Sequence, residues 1–270
     1  MNLLKKSYSW WYKEILNLIA FIQSRLIRLN ENPLNLEMLK SGKFLILAPH
    51  SDDEWVGCSR ILINKKFEVV ICNMNMPGGD SKELHFVRHN EMSIMAKRYD
   101  RLLTTISGDC DEKVIQLYRF IKTFNPNYIC VPCVVDWHED HLEVINILKR
   151  IVNTYLDIDI SCKILMYQVS VPIPRKQLTH NLKMNYYEQL EKWKLFKDTY
   201  KTQSQFPYRR FMKNEYISGC YCNSYAAEVF SCKSLSDWVK YVDIIIGSGI
   251  NKNLFKMINN LVRIRRYINS

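Results

Sequence analysis

The sequence predicts an α/β protein: a mostly parallel sheet with helices on both faces and an amphipathic helix at each end. Three observations carry that prediction. From residue 43 onward, short runs apolar on both faces alternate with amphipathic stretches of helical period, the pattern of buried parallel strands joined by helical crossovers. The first run ends in Ala48-Pro49-His50-Ser51-Asp52-Asp53-Glu54 and the fourth is followed by His138-Glu139-Asp140-His141. Both loops therefore leave the carboxyl edge of the sheet, where such folds bind ligands. Finally, 270 residues with 47% hydrophobic content can fill one sizeable core, which excludes a disordered chain.

Taken in order, residues 10–29 form a helix whose Trp11, Ile15, Leu18, Ile22, Leu26 and Leu29 make one apolar stripe. The longest uncharged stretch in it, 15–24, is far short of the ~20 apolar residues that cross a bilayer, and no small-residue cleavage site follows. Neither a transmembrane helix nor a signal peptide is expected. Residues 30–35, with Pro33, mark the entry to the body. Strands follow at 44–48, 67–74, 102–106 and 128–134, and helices at 54–64, 83–99, 111–124 and 141–156. A further strand at 164–169 leads into 172–175, and a charged helix covers 186–200. His180 falls in a polar loop. At the carboxyl end Leu254, Met257, Leu261, Ile264 and Ile268 recur by threes and fours among lysines and arginines. Either terminal helix suits an anionic membrane surface, with Trp10 and Trp11 at headgroup level, and equally well a face of the core or a dimer seam.

The formal charge of +11 is unevenly placed. Residues 1–30 carry +4 and residues 250–270 carry +5, which leaves +2 for everything between them. Basicity confined to the ends argues against nucleic acid as a partner of the body. The nine cysteines lie mostly in or beside apolar runs rather than at the even spacing of a disulfide scaffold. Cys130-Val131-Pro132-Cys133 has metal-motif spacing, but within one buried strand the two thiols cannot converge on an ion. A reduced, cytoplasmic setting is expected, at most peripheral at the inner face of the membrane.

The chemistry rests on the two loops. His50 and Asp53, three apart in a turn, can face one metal ion, with His141 as the third ligand from the start of a helix. Two imidazoles and a carboxylate with an open position suit zinc that activates water; iron(II) or cobalt can take the same ligands. Asp52 then stands beside the metal as a general base. His138 projects into the pocket as an imidazolium that stabilises an oxyanion or protonates a leaving amine, oriented by Asp140 or Asp136. A surface His-x-x-His or an acidic helix cap explains either motif alone; their joint occurrence at two strand ends favours the metal site. His85, His89 and His180 are read as structural or solvated.

These motifs resemble those of the PIG-L or LmbE-like family of zinc-dependent N-acetylglucosaminyl deacetylases, which carry Ala-His-Pro-Asp-Asp-Glu after the first strand and His-Pro-Asp-His after a later one. The likeness runs over roughly residues 43–230. It includes Arg88-x-x-Glu91 with Ala96, Asn125-Pro126, Ser204-Gln205 and Ala227-Glu228. It implies a Rossmann-like fold, zinc on His50, Asp53 and His141, Asp52 as base, His138 as electrostatic or acid partner, and Arg88 as a substrate-binding residue. Ser51 and Glu139 replace the two motif prolines, and Ser59 stands where a second glycine often follows Gly57-Cys58; these departures bear on specificity. The expected organisation is an amphipathic helix and linker (1–40), a deacetylase domain (41–232) and a basic helical extension (233–270). The expected activity is deacetylation of an N-acetylated amino-sugar conjugate in surface polysaccharide or glycolipid assembly. The alternatives are an amidase of larger amides such as thiol conjugates, or a catalytically retired sugar-binding or membrane-scaffold protein. Oligomeric state is not defined by the sequence.

Overall fold

The computed structural model describes residues 11, 15, 18, 19, 22, 33–76, 81–155, 161–254, 257 and 261–269. Eight strands among them form one sheet: β1 (Leu34–Asn35), β2 (Gly42–Ala48), β3 (Phe67–Asn73), β4 (Leu102–Thr105), β5 (Tyr128–Pro132), β6 (Lys163–Tyr167), β7 (His180–Met184) and β8 (Ala226–Ser234). Their order across the sheet is β1-β7-β8-β6-β5-β2-β3-β4. Five of the seven pairings are parallel; only β8 runs against its neighbours β6 and β7. The helices are α1 (Asp53–Ile63), α2 (Lys82–Arg98), α3 (Cys110–Phe124), α4 (Glu139–Thr154), α5 (Tyr186–Thr199), α6 (Tyr208–Tyr221), α7 (Leu235–Ser248), α8 (Asn251–Leu254) and α9 (Leu261–Asn269).

The two-sided burial of the central strands explains their continuous apolar sequences. Phe44, Ile46 and Ala48 of β2 enter a core with Trp55 of α1, Met92 and Met95 of α2, and Trp193 and Phe196 of α5. Leu45 and Leu47 point the other way, onto Val114 and Leu117 of α3, Ile145 and Leu148 of α4, and Trp238 of α7. Period-two alternation therefore feeds two cores at once.

From β2 the chain steps outward to β3 and β4, returns to β5 on the other side of β2, and steps on to β6. The reversal puts the topological switch point between β2 and β5, where the crevice of an open α/β sheet lies. Those two strands carry the two motifs. Asn125, in the left-handed conformation (φ 49°), closes α3 and turns the chain into β5.

Two differences from the sequence expectation stand out, and one of its alternatives is decided. α4 begins at Glu139, with His138 as its N-cap, so His141 lies in the first turn. His180 opens β7, pairing with Leu34 and Phe230, instead of lying in a loop; lysine, asparagine and histidine in β7 hid the strand. At the carboxyl end the apolar stripe meets protein. Leu254 and Ile264 are fully buried against Cys133, Val135, Val171 and Ile173, and the half-buried Arg265 donates to Asn214 Oδ1 (2.5 Å) and Tyr221 Oη (3.1 Å) on α6. The amino-terminal helix expected over 10–29 lies largely outside the described residues; its described members Trp11, Ile15, Leu18, Ile19 and Ile22 are helical and all exposed.

Candidate metal centre and active site

β2 ends at Ala48, and Pro49 ends the ladder before the chain turns into α1. The turn is closed by Asp53, whose Oδ2 accepts from the backbone N–H of His50 (3.0 Å). Asp52 occupies the N-cap position of α1, yet its side chain makes no capping hydrogen bond. Capping therefore does not account for this buried carboxyl.

On the neighbouring strand, β5 gives way to a loop organised by Asp136. Its Oδ1 accepts from the backbone N–H groups of Trp137 (2.6 Å) and His138 (2.9 Å). Its Oδ2 accepts from His141 Nδ1 (2.8 Å). That bond assigns the proton of His141 to Nδ1 and turns Nε2 toward Asp53, 3.4 Å from Oδ2. His50 is held in the same way: Nε2 donates to Asp140 Oδ2 (2.7 Å), and Nδ1 lies 3.3 Å from Asp53 Oδ2. Asp136 thus orients His141, and Asp140 orients His50; the sequence expectation had assigned one or the other to His138, whose Nδ1 is 4.0 Å from Asp140 Oδ2.

His50, Asp53 and His141 can hold a metal ion; their ligand atoms all lie within 4.8 Å of one another. With bonds of about 2.1 Å, neighbouring ligand atoms of a tetrahedral zinc stand about 3.4 Å apart, which the 3.3 and 3.4 Å separations match. Each imidazole has a carboxylate on its far nitrogen, the usual arrangement behind a metal-ligating histidine. His50, His138 and Asp140 form a second group of suitable size, but there the His50 nitrogen is already committed to Asp140.

The electrostatics also call for a cation. Burial alone would raise the Asp53 pKa, but His141 and His50 override it and hold the carboxyl far below its usual range. Burial would likewise lower both imidazoles; hydrogen bonds to Asp140 and Asp53 instead bring His50 up to about 9, and Asp136 and Asp53 carry His141 well above its ordinary value. Asp52 behaves oppositely: burial and then the charge of Asp53 push it up to about 7, against the pull of His50, Arg88 and His141. Neighbouring carboxyls thus have widely separated proton affinities, the mark of an acid–base site. The imidazolium expected at His138 is disfavoured, because burial and the charges of His141 and His50 lower its pKa. Its ring stacks on His141 (centroids 4.7 Å apart, 20° between planes) and meets His50 edge-on.

Other residues at the site carried weaker signals. Asn73 donates to Ser51 Oγ (3.3 Å) and pairs with His89 Nδ1 (3.1 Å), tying the Ser51 turn to α2; a polar residue closing the apolar run 69–72 at the carboxyl edge was its trace in the sequence. Glu54 is fully buried and bonded to Tyr200 Oη; burial, opposed by that bond, takes its pKa to about 8, so the acid form prevails at neutral pH. Arg210, from α6, lies close enough to Asp136 for their charges to interact, and nothing in its local sequence marks it.

No protein-family model and no curated protein sequence matches the chain. Solved structures do match. A conserved protein from Thermus thermophilus is 18% identical, with a TM-score of 0.57 over 72% of this chain and 94% of its own. The N,N'-diacetylchitobiose deacetylase from Pyrococcus horikoshii is 18% identical, with a TM-score of 0.56 over 73% and 85%. A teicoplanin deacetylase in its zinc-inhibited form is 10% identical, with a TM-score of 0.53 over 70% and 97%. These likenesses establish the fold: an α/β sheet flanked by helices, shared with deacetylases.

Proposed function

We propose that this chain is a zinc-dependent hydrolase that removes acetate from an N-acetylated amino sugar of the N-acetylglucosamine type, borne on a nucleotide, lipid or glycan during surface polysaccharide or glycolipid assembly. One observation carries the proposal: Asp53 Oδ2 lies 3.3 Å from His50 Nδ1 and 3.4 Å from His141 Nε2, at the switch point of the sheet, beside a buried Asp52 that makes no capping bond. The resemblance to the PIG-L and LmbE-like motifs supports it, as does a fold shared with proteins described as deacetylases of chitobiose and teicoplanin.

A divalent cation on His50, Asp53 and His141 would polarise the acetamide carbonyl and acidify water. Asp52, buried beside Asp53 and making no capping bond, takes the proton from the attacking water and passes it to the leaving amine. His138, largely neutral, donates a hydrogen bond to the oxygen on which charge develops. Asp140 and Asp136 keep His50 and His141 in the tautomers that leave Nδ1 and Nε2 free to ligate. Arg88, close enough to Asp52 for their charges to interact, holds the substrate.

The test is metal-dependent acetate release from nucleotide-, lipid- and inositol-linked N-acetylglucosamine. Asp52→Ala should abolish turnover and retain zinc, and Asp52→Asn, which keeps the shape but cannot take a proton, should do the same. A zinc-loaded protein inert on every such conjugate would overturn the proposal.

Its placement at the inner face of a membrane rests on the amino-terminal helix. Trp11, Ile15, Leu18, Ile19 and Ile22 share one face and are 37–59% exposed, in a segment of charge +4. No described helix is long and apolar enough to cross a membrane. Salt-sensitive binding to anionic vesicles that is lost on deleting residues 1–29 is expected; equal partition of both forms would refute it.

A further inference from the structure

Helix α1 is broken at Cys58 (φ −136°, ψ 21°). In an unbroken helix the N–H of Arg60 would bond to the C=O of Val56, four residues earlier. Here each group has another partner. Val56 O accepts from Lys192 Nζ (2.8 Å), and Arg60 N–H donates to Glu228 Oε2 (3.0 Å). Lys192 and Glu228 are themselves paired at 2.7 Å, so a buried ion pair is inserted into the backbone ladder of the helix.

The inserted pair is fully bonded. Lys192 directs its third proton to Glu215 Oε1 (2.6 Å), and Glu228 Oε1 also accepts from Ser59 Oγ (2.5 Å). Glu215 Oε2 is held by Gln189 and Trp193, each at 2.8 Å. Next to the break, Gly57 lets the ring of Tyr167 lie against the helix: a Cβ there would fall 2.2 Å from that ring. The consequence is mechanical. The turn that starts at Asp52, with Trp55 and Val56 N–H both bonded to Asp52 O, ends on the Lys192 ammonium instead of running into the rest of the helix. Its placement is set by α5 and β8, which supply Lys192 and Glu228.

We infer that Lys192 and Glu228 are positioning residues for the metal centre: they hold the first turn of α1, and with it Asp52 and Asp53, at the angle at which Asp53 meets His50 and His141. The inference rests on the metal-site reading proposed above. A buried ion pair that served stability alone would not need to sit in the hydrogen-bond ladder of the helix that carries Asp53.

The test compares Glu228→Gln, which keeps the volume but cannot accept all three bonds, with Lys192→Met and with Val242→Ala, a core truncation on the opposite face of the sheet. Zinc affinity is read by chelator competition and stability by thermal unfolding. Glu228→Gln should bind zinc 10- to 100-fold more weakly than wild type, as loss of a ligand-supporting group does, whereas Val242→Ala should lose stability without losing affinity. A folded Glu228→Gln variant with wild-type affinity would overturn the inference; should Lys192→Met fail to fold, Glu228→Gln decides alone. Amide hydrogen exchange separates the two readings. If wild type takes up no zinc, the metal reading falls, and selective loss of protection at Trp55 and Val56 in Glu228→Gln still decides whether the pair holds the turn.

Discussion

The loop after β2 and the loop after β5 bring the candidate ligands His50, Asp53 and His141 to the same point from neighbouring strands, but they are backed by different kinds of matter. Behind the first stands a buried polar network, in which Lys192, Glu215 and Glu228 hold the first turn of α1 by hydrogen bonds. Behind the second stands an apolar cover. Leu254 and Ile264, from the carboxyl-terminal extension, pack on Cys133 and Val135, and Asn251 Nδ2 bonds to Val134 O (3.1 Å). Directional bonds fix an angle and depend on every partner; apolar cover fixes a distance and yields in proportion to the volume removed. The ligand requiring the finer angle, the Asp53 carboxylate shared between two imidazoles, belongs to the hydrogen-bonded loop.

The comparison can be broken at several places. Ile264→Ala, in the apolar cover, should cost about 2–5 kcal/mol of stability in denaturant unfolding with a smaller effect on zinc affinity; a cost of a few tenths would mean the cover is not packed. Asp136→Asn attacks the residue that organises the second loop by three hydrogen bonds. It should weaken zinc binding by about 10- to 100-fold, since an amide cannot keep His141 Nδ1 as donor while also serving two backbone N–H groups; undiminished affinity in chelator competition would show that cover alone secures this loop. Glu54→Gln probes the first turn through pH. The folded pKa of Glu54 is raised from 4.5 to about 8, so its contribution is fully present below 4.5 and is lost as pH rises through 8. The variant should flatten the decline of Tm between about pH 4.5 and 8, and an unchanged decline there would exclude Glu54 as its source. The smallest effect belongs to His180, remote from both loops. Burial and Lys163 lower its pKa to about 4, so its contribution is present above 6.5 and is lost as pH falls through 4. His180→Gln should soften acid unfolding and leave zinc affinity at neutral pH unaltered.

Much of this arrangement is legible in the chain. The central strands announce themselves because burial on both faces demands unbroken apolar runs, and the two motifs stand out because histidines and acids follow such runs directly. Elements with mixed surroundings are harder to read. β7 is short and polar, with neighbours 34 and 230 far away in sequence, and β8 runs antiparallel in a sheet whose crossovers point to parallel pairing. The amphipathic ends are the sharpest case. Both have an apolar stripe and basic flanks, yet the described amino-terminal residues are exposed while Leu254 and Ile264 are fully buried. A stripe states that a face is apolar and does not state what will cover it.

The amino-acid sequence by itself determined the class of fold, the edge of the sheet that carries the chemistry, and the donor types gathered there, because residue type and period are local properties. Only the tertiary structure decided which carboxylate orients which imidazole, that His138 is shifted toward its neutral form, and that α1 is broken around an ion pair. Those outcomes depend on partners such as Lys192 and Glu228, which lie 136 positions from Val56 and 169 from Ser59. A buried hydrogen bond is specified by both of its ends, and they come within reach only when the chain folds.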